Sequence, residues 1–267
     1  MIPIGDTNRA RTRPWVNYAI ILANIAVFLY MLTLSANTPA SQREGSRQLA
    51  QQTQTICYGY ETYPTDADRF ICKYAFQPKE FFDTVRGDSP ITGTDRTIAI
   101  ISIVTALFLH GGWLHIIGNM LFLWVFGDNV EDRLGHLKYL AFYLAAGILA
   151  CLVQGALSPD SVVPVIGASG AVAGVLGAYL LWFPRATVRV VIPFFILIFI
   201  PLPVPAWIMI GLWFLQNLLS GYATIANAAA PDAGVAWFAH IGGFVFGLVI
   251  ALLAGRRPHR PRPRIYS

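Results

Sequence analysis

Apolar residues along this chain gather into long runs parted by shorter polar stretches. The runs cover 15–34, 97–126, 137–157, 164–183, 188–203, 205–220 and 236–254. The hydrocarbon core of a bilayer takes about 20 apolar residues of helix, so most of these runs approach the length needed to cross it. The run 97–126 exceeds what one perpendicular helix needs, and Gly111-Gly112 interrupts it. That pair predicts a break, with a short interfacial or membrane-dipping helix before it and a span over 113–128 after it. The run 188–203 is apolar but broken by Pro193, Pro201 and Pro203.

Basic residues orient these elements. Arg9, Arg11 and Arg13 precede the first run against a single Asp6, and Arg256, Arg257, Arg260, Arg262 and Arg264 follow the last with no acid among them. Such flanks stay on the cytosolic side, so both termini are expected there and the number of crossings is even. Counting 188–203 as a span would make seven, so it is read as a hairpin or interfacial segment on the cytosolic side. The first run is longer than a signal-peptide core and no small-x-small cleavage site follows it, which predicts an uncleaved span. The expected fold is an all-α polytopic membrane protein, a bundle of six transmembrane helices over 15–34, 113–128, 137–157, 164–183, 205–220 and 236–254. A cytosolic N-terminus (1–14), a long outer loop (35–96) and a basic cytosolic tail (255–267) complete it.

Composition agrees with a membrane protein. Of 267 residues 55% are hydrophobic and 12% charged, against roughly 45–50% and 25% in soluble domains. The net charge of +5 lies mainly at the termini and between runs, where it reports topology rather than a nucleic-acid surface. The lipid bilayer is the expected partner, with no nucleic acid. The three cysteines have no metal-ligand spacing: Cys151 lies inside an apolar run, while Cys57 and Cys72 share the long loop. In an oxidising compartment those two can form a disulfide; two free thiols is the equally open alternative. A loop this long is expected to hold local structure.

A few polar side chains interrupt the apolar runs. Ser169 sits among small residues in Gly167-Ala-Ser169-Gly170, read here as about one turn inside the helix 164–183. His115 and Asn119, four apart, share a face of the span 113–128. His240 falls near the outer start of 236–254. Burying such groups is costly, so each is a functional candidate, and at a rise of about 1.5 Å per residue Ser169, Asn119 and His240 reach similar depths. Nucleophilic acyl transfer suits the set, with Ser169 as nucleophile and His240 as the base that removes its proton. No Asp or Glu lies near them in a span, so packing is expected to orient the imidazole. Backbone N–H groups at the start of the Ser169 helix, near Gly167, together with His115 and Asn119, would meet the oxyanion. No cofactor or metal is called for.

These residues resemble the rhomboid family of intramembrane serine proteases. The likeness rests on Gly167-Ala-Ser169-Gly170, on His110-Gly-Gly-Trp followed by His115-x-x-x-Asn119, and on Ala239-His240-Ile-Gly-Gly243-x-x-x-Gly247, and extends over about 97–254. The resemblance implies a Ser169–His240 dyad, oxyanion ligands in His115 and Asn119, and close packing of the sixth span on the fourth through Gly243 and Gly247. It implies transmembrane protein substrates, entry past the fifth span, and residence as a multi-pass protein of the cell membrane. Glu131-x-Arg133-x-Gly135 resembles the family's cytosolic end of the second span. Two features depart from the pattern: the outer loop has no Trp-Arg pair, and Ala173 stands where the family often has a ring stacked on the base, so a ring from another span would have to serve. Two other classes compete. A non-cleaving rhomboid-like protein would bind membrane helices, but such relatives usually lack the serine or the histidine. A transporter lined by His110, His115 and His240 would want acidic relay groups in its spans.

Overall fold

The computed structural model describes residues 1–8, 10–36, 65–89, 91–191, 201–226 and 235–255. In chain order the elements are strand β1 (Ile2–Asp6) and helices α1 (Trp15–Ala36), α2 (Asp66–Tyr74), α3 (Pro78–Arg86) and α4 (Gly93–Thr105). Helices α5 (Trp113–Leu134), α6 (His136–Leu157) and α7 (Ser169–Trp182) follow, then strands β2 (Thr187–Val191) and β3 (Leu202–Pro205), and finally α8 (Ala206–Ala226) and α9 (Trp237–Leu253). Three helices, α1, α6 and α8, are long and apolar enough to cross a membrane. The bent pair of α4 with its 3-10 extension and α5 makes a fourth candidate, turned through 76° at the Gly111-Gly112 break. The shorter apolar helices α7 and α9 pack against each other at the centre. The molecule is thus a mostly helical, multi-pass membrane protein.

Several expectations change. The fold is not purely helical: β1, β2 and β3 form a three-stranded antiparallel sheet. Ile2 faces Val191 and Thr187 faces Pro205, so the two ends of the segment expected as a hairpin or interfacial stretch pair antiparallel as β2 and β3, with 192–200 outside the described residues. The charged stretch between the expected spans 113–128 and 137–157 is itself helical. Helix α5 runs through it to Leu134, and one residue, Gly135 at φ 82°, turns the chain directly into α6. Charge is tolerated there because it is spent on capping. Glu131, fully buried, accepts from the Val16 and Asn17 amides at 3.0 and 2.7 Å, and Asp132 accepts from Thr12 N–H at 2.8 Å. Two carboxylates of α5 therefore satisfy donors at or just before the N-terminus of α1. Arg133 donates to the Gly255 carbonyl at 2.6 Å, and its guanidinium lies 4.6 Å from the Trp182 ring centre, joining the ends of α5, α7 and α9.

The sheet hangs on this same end of the bundle. Asp6 accepts from the Tyr179 hydroxyl and, at 3.2 Å, from Asn129 Nδ2. Burial outweighs these bonds and pushes the Asp6 carboxyl up to about 6. At the opposite end, α2 and α3 show that the long loop does hold structure. Cys72 of α2 is buried and disulfide-bonded; Cys57 lies outside the described residues. Phe76 forms an isolated antiparallel bridge with Val165, fastening the α2–α3 cap to the segment that leads into α7.

The central contact is between α7 and α9, and glycines make it possible. A Cβ on Gly243 would collide with the Gly170 carbonyl, one on Gly247 with the Gly174 carbonyl, and one on Gly177 with the Phe244 carbonyl. The two backbones touch at three points over about two helical turns, as small residues allow in membrane helices.

Candidate active site

Ser169 is the first residue of α7, not one turn inside it. The approach is extended rather than helical: Val165 exchanges backbone hydrogen bonds with Phe76, Gly167 takes φ 115°, and its N–H donates to the Ala106 carbonyl at 2.9 Å. Only glycine tolerates that φ without strain. A Cβ there would also lie 2.6 Å from His115 Nε2. The serine thus reaches its depth on a descending strand-like segment, and the helix that starts with it leaves its first N–H groups without intrahelical acceptors.

Helix α9 brings His240, in its first turn, to the serine: His240 Nε2 lies 2.7 Å from Ser169 Oγ. The backbone contact at Gly170 and Gly243, one residue beyond Ser169 and three beyond His240, sets this approach. The other ring nitrogen, Nδ1, lies 2.7 Å from Asn217 Oδ1 on α8. Packing does contribute, since the Trp213 and Trp237 ring centres are 5.8 and 6.2 Å from that of His240. Rings from α8 and from α9 itself thus flank the imidazole, whereas position 173 offers none. The expectation that packing alone orients the imidazole is nevertheless incomplete, because a side-chain amide does so directly.

His115 stands opposite. The Gly111 N–H points at its Nδ1 at 3.4 Å, which leaves Nε2 as the nitrogen to carry hydrogen, beside Gly167. Asn119, 7% exposed, gives one amide hydrogen to the His115 carbonyl at 2.9 Å and keeps the other. His110 is buried with its ring centre 5.0 Å from that of His115. A cavity of about 600 Å³ opens onto Ser169, His240, His115, Gly111 and Gln154. Among the described residues no group of His, Cys, Asp and Glu could hold a metal ion.

Sequence reasoning passed over two residues of this neighbourhood. Asn217 and Gln154 are amides within apolar helices, the same signal that singled out Asn119. Gln154 Oε1 accepts from the Ala239 amide at 3.3 Å, next to His240, and lines the cavity.

Residues 99–257 match the family model described as the Rhomboid domain. Over 181 residues the chain is 30% identical to "Rhomboid protein 1, mitochondrial" of Saccharomyces cerevisiae, covering 64% of this chain and 46% of the yeast protein. It is 28% identical over 189 residues to "Rhomboid-like protein 11, chloroplastic" of Arabidopsis thaliana, covering 67% of this chain and 61% of that one. A shorter stretch of 78 residues, 29% of this chain and 15% of the relative, is 42% identical to "Rhomboid protease GluP" of Bacillus subtilis.

Proposed function

The chain belongs to the rhomboid family, and on that footing we propose that it is an intramembrane serine endopeptidase. Its substrates are membrane proteins, cut within or next to a transmembrane helix, with Ser169 as nucleophile and His240 as general base. The observation that carries this reading is the 2.7 Å separation of His240 Nε2 and Ser169 Oγ, within the reach a base needs to take the hydroxyl proton. As the proton moves to Nε2, Oγ attacks the scissile carbonyl. The oxyanion is met by backbone N–H groups at the start of α7, by His115 Nε2 and by the free hydrogen of the Asn119 amide. The imidazolium then protonates the leaving amine, and a water from the cavity hydrolyses the acyl-enzyme with His240 again as base.

The six-span topology accommodates this chemistry. Helices α1, α6 and α8 cross, α5 crosses after the dipping α4, and α7 and α9 complete the bundle. The sheet and the arginine-flanked ends face the cytosol, so the site opens to the outer side of the cell membrane. A peptide bond in a substrate helix must unwind before attack, and Gly or Pro near it lowers that cost.

The test is labelling of purified protein by a fluorophosphonate, together with cleavage of a model single-span substrate. Ser169→Ala and His240→Ala should each abolish both, and the double variant should lose little beyond either, since the two act as a unit. Full cleavage by Ser169→Ala would overturn the serine-protease reading.

A further inference from the structure

Resting on that reading, we infer that Asn217 is a third member of the site: a positioning residue that holds His240 in the one tautomer able to accept the serine proton. A neutral imidazole carries hydrogen on one nitrogen only, and its partner on the other side decides which. Asn217 faces His240 Nδ1 at 2.7 Å with its carbonyl oxygen, an acceptor and never a donor. The hydrogen therefore belongs on Nδ1, and the lone pair on Nε2 is left pointing at Ser169 Oγ.

The orientation of the amide is itself determined. Asn217 Nδ2 donates to the Trp213 carbonyl at 2.7 Å, one turn back on α8. Exchanging oxygen and nitrogen would bring two oxygens together at Trp213 and present a donor to Nδ1. That would favour the tautomer with hydrogen on Nε2, which cannot take a proton from serine. Asn217 is 2% exposed, so water does not readily replace its oxygen. Trp213 thus acts twice, its carbonyl fixing the amide and its ring flanking the imidazole. A carboxylate would do the same job and add charge, but a charged group at this depth is costly; the neutral amide sets the tautomer and accepts from the imidazolium once it forms.

The measurement pairs kinetics with a tautomer readout. Asn217→Leu keeps the shape and removes the acceptor. It should lower kcat about 10- to 100-fold, the effect of leaving one buried donor to a charged ring unpaired, with KM for the model substrate unchanged. In protein labelled with nitrogen-15 at histidine and held in detergent micelles, wild-type His240 should show hydrogen on Nδ1, and Asn217→Leu should shift population to Nε2–H. Asn217→Asp, which restores an acceptor, should recover most of the lost kcat. If Asn217→Leu fails to fold, Asn217→Ser, whose hydroxyl is too short to reach the ring, replaces it with the same expectations. An unchanged kcat, or a lowered kcat with the Nδ1–H tautomer intact and no recovery in Asn217→Asp, would overturn the assignment. Loss of fluorophosphonate labelling at Ser169 in the wild type would instead sink the protease reading beneath it.

Discussion

Two interfaces meet at His240, and they are built in opposite ways. Helix α9 meets α7 backbone to backbone, through Gly170, Gly174, Gly177, Gly243 and Gly247. It meets α8 side chain to side chain, through stacked Phe214 and Phe244 with ring centres 4.1 Å apart, and through Trp213 and Asn217 around the imidazole. The glycine interface cannot yield, because carbonyl groups already occupy the space a Cβ would need. The aromatic interface can, because rings rotate and repack. The distance from serine to histidine is therefore set by main chain, whereas the rotation of the histidine ring is set by a helix with freedom to adjust.

The sharpest way to break this contrast is Gly243→Val. Its side chain would drive α9 away from α7, costing about 3 kcal/mol or more of stability and abolishing activity. A melting temperature within error of the wild type in the same detergent would show that the backbone contact is not rigid. Next in size is Trp213→Ala on the other side. The ring is only partly buried, so the expected loss is about 1–2 kcal/mol, below that of a fully buried aromatic, with cleavage reduced but measurable. Equal damage from the two substitutions would erase the distinction. The smallest effect belongs to Gly211→Ala, at a site on α8 where an added Cβ meets no atom within 4 Å. Helix propensity then predicts a gain of about 0.5–1 kcal/mol, read as a modest rise in melting temperature with activity retained.

Much of the bundle is legible in the sequence because lipid demands long uninterrupted apolar runs, and because Gly111-Gly112 and the serine among glycines stand out against them. Other parts are not. Ile2-Pro-Ile-Gly-Asp6 has no alternating pattern and finds its partner far along the chain, so nothing local marks it as a strand. The start of α7 shifts to Ser169 because Pro164 and Gly167 shape an extended approach, although the residues between them are as apolar as the helix that follows. Asn217 is the more instructive omission. It carries a signal like that of Asn119, an amide in an apolar run, here beside a second amide, Gln216, but only the folding of α8 onto α9 discloses that its oxygen faces a histidine.

The pairing of β1 with β2 also has a temporal side. Ile2–Asp6 leaves the ribosome long before Thr187–Val191 exists, and at roughly 5–20 residues per second that interval is on the order of 10–40 s. Until then the early strand has exposed edges and the α7 end that the sheet braces is unsecured. Closing the sheet is thus a late event in biogenesis, and a nascent chain arrested before residue 187 would carry α1 through α7 in sequence yet lack the clasp that fastens their shared end.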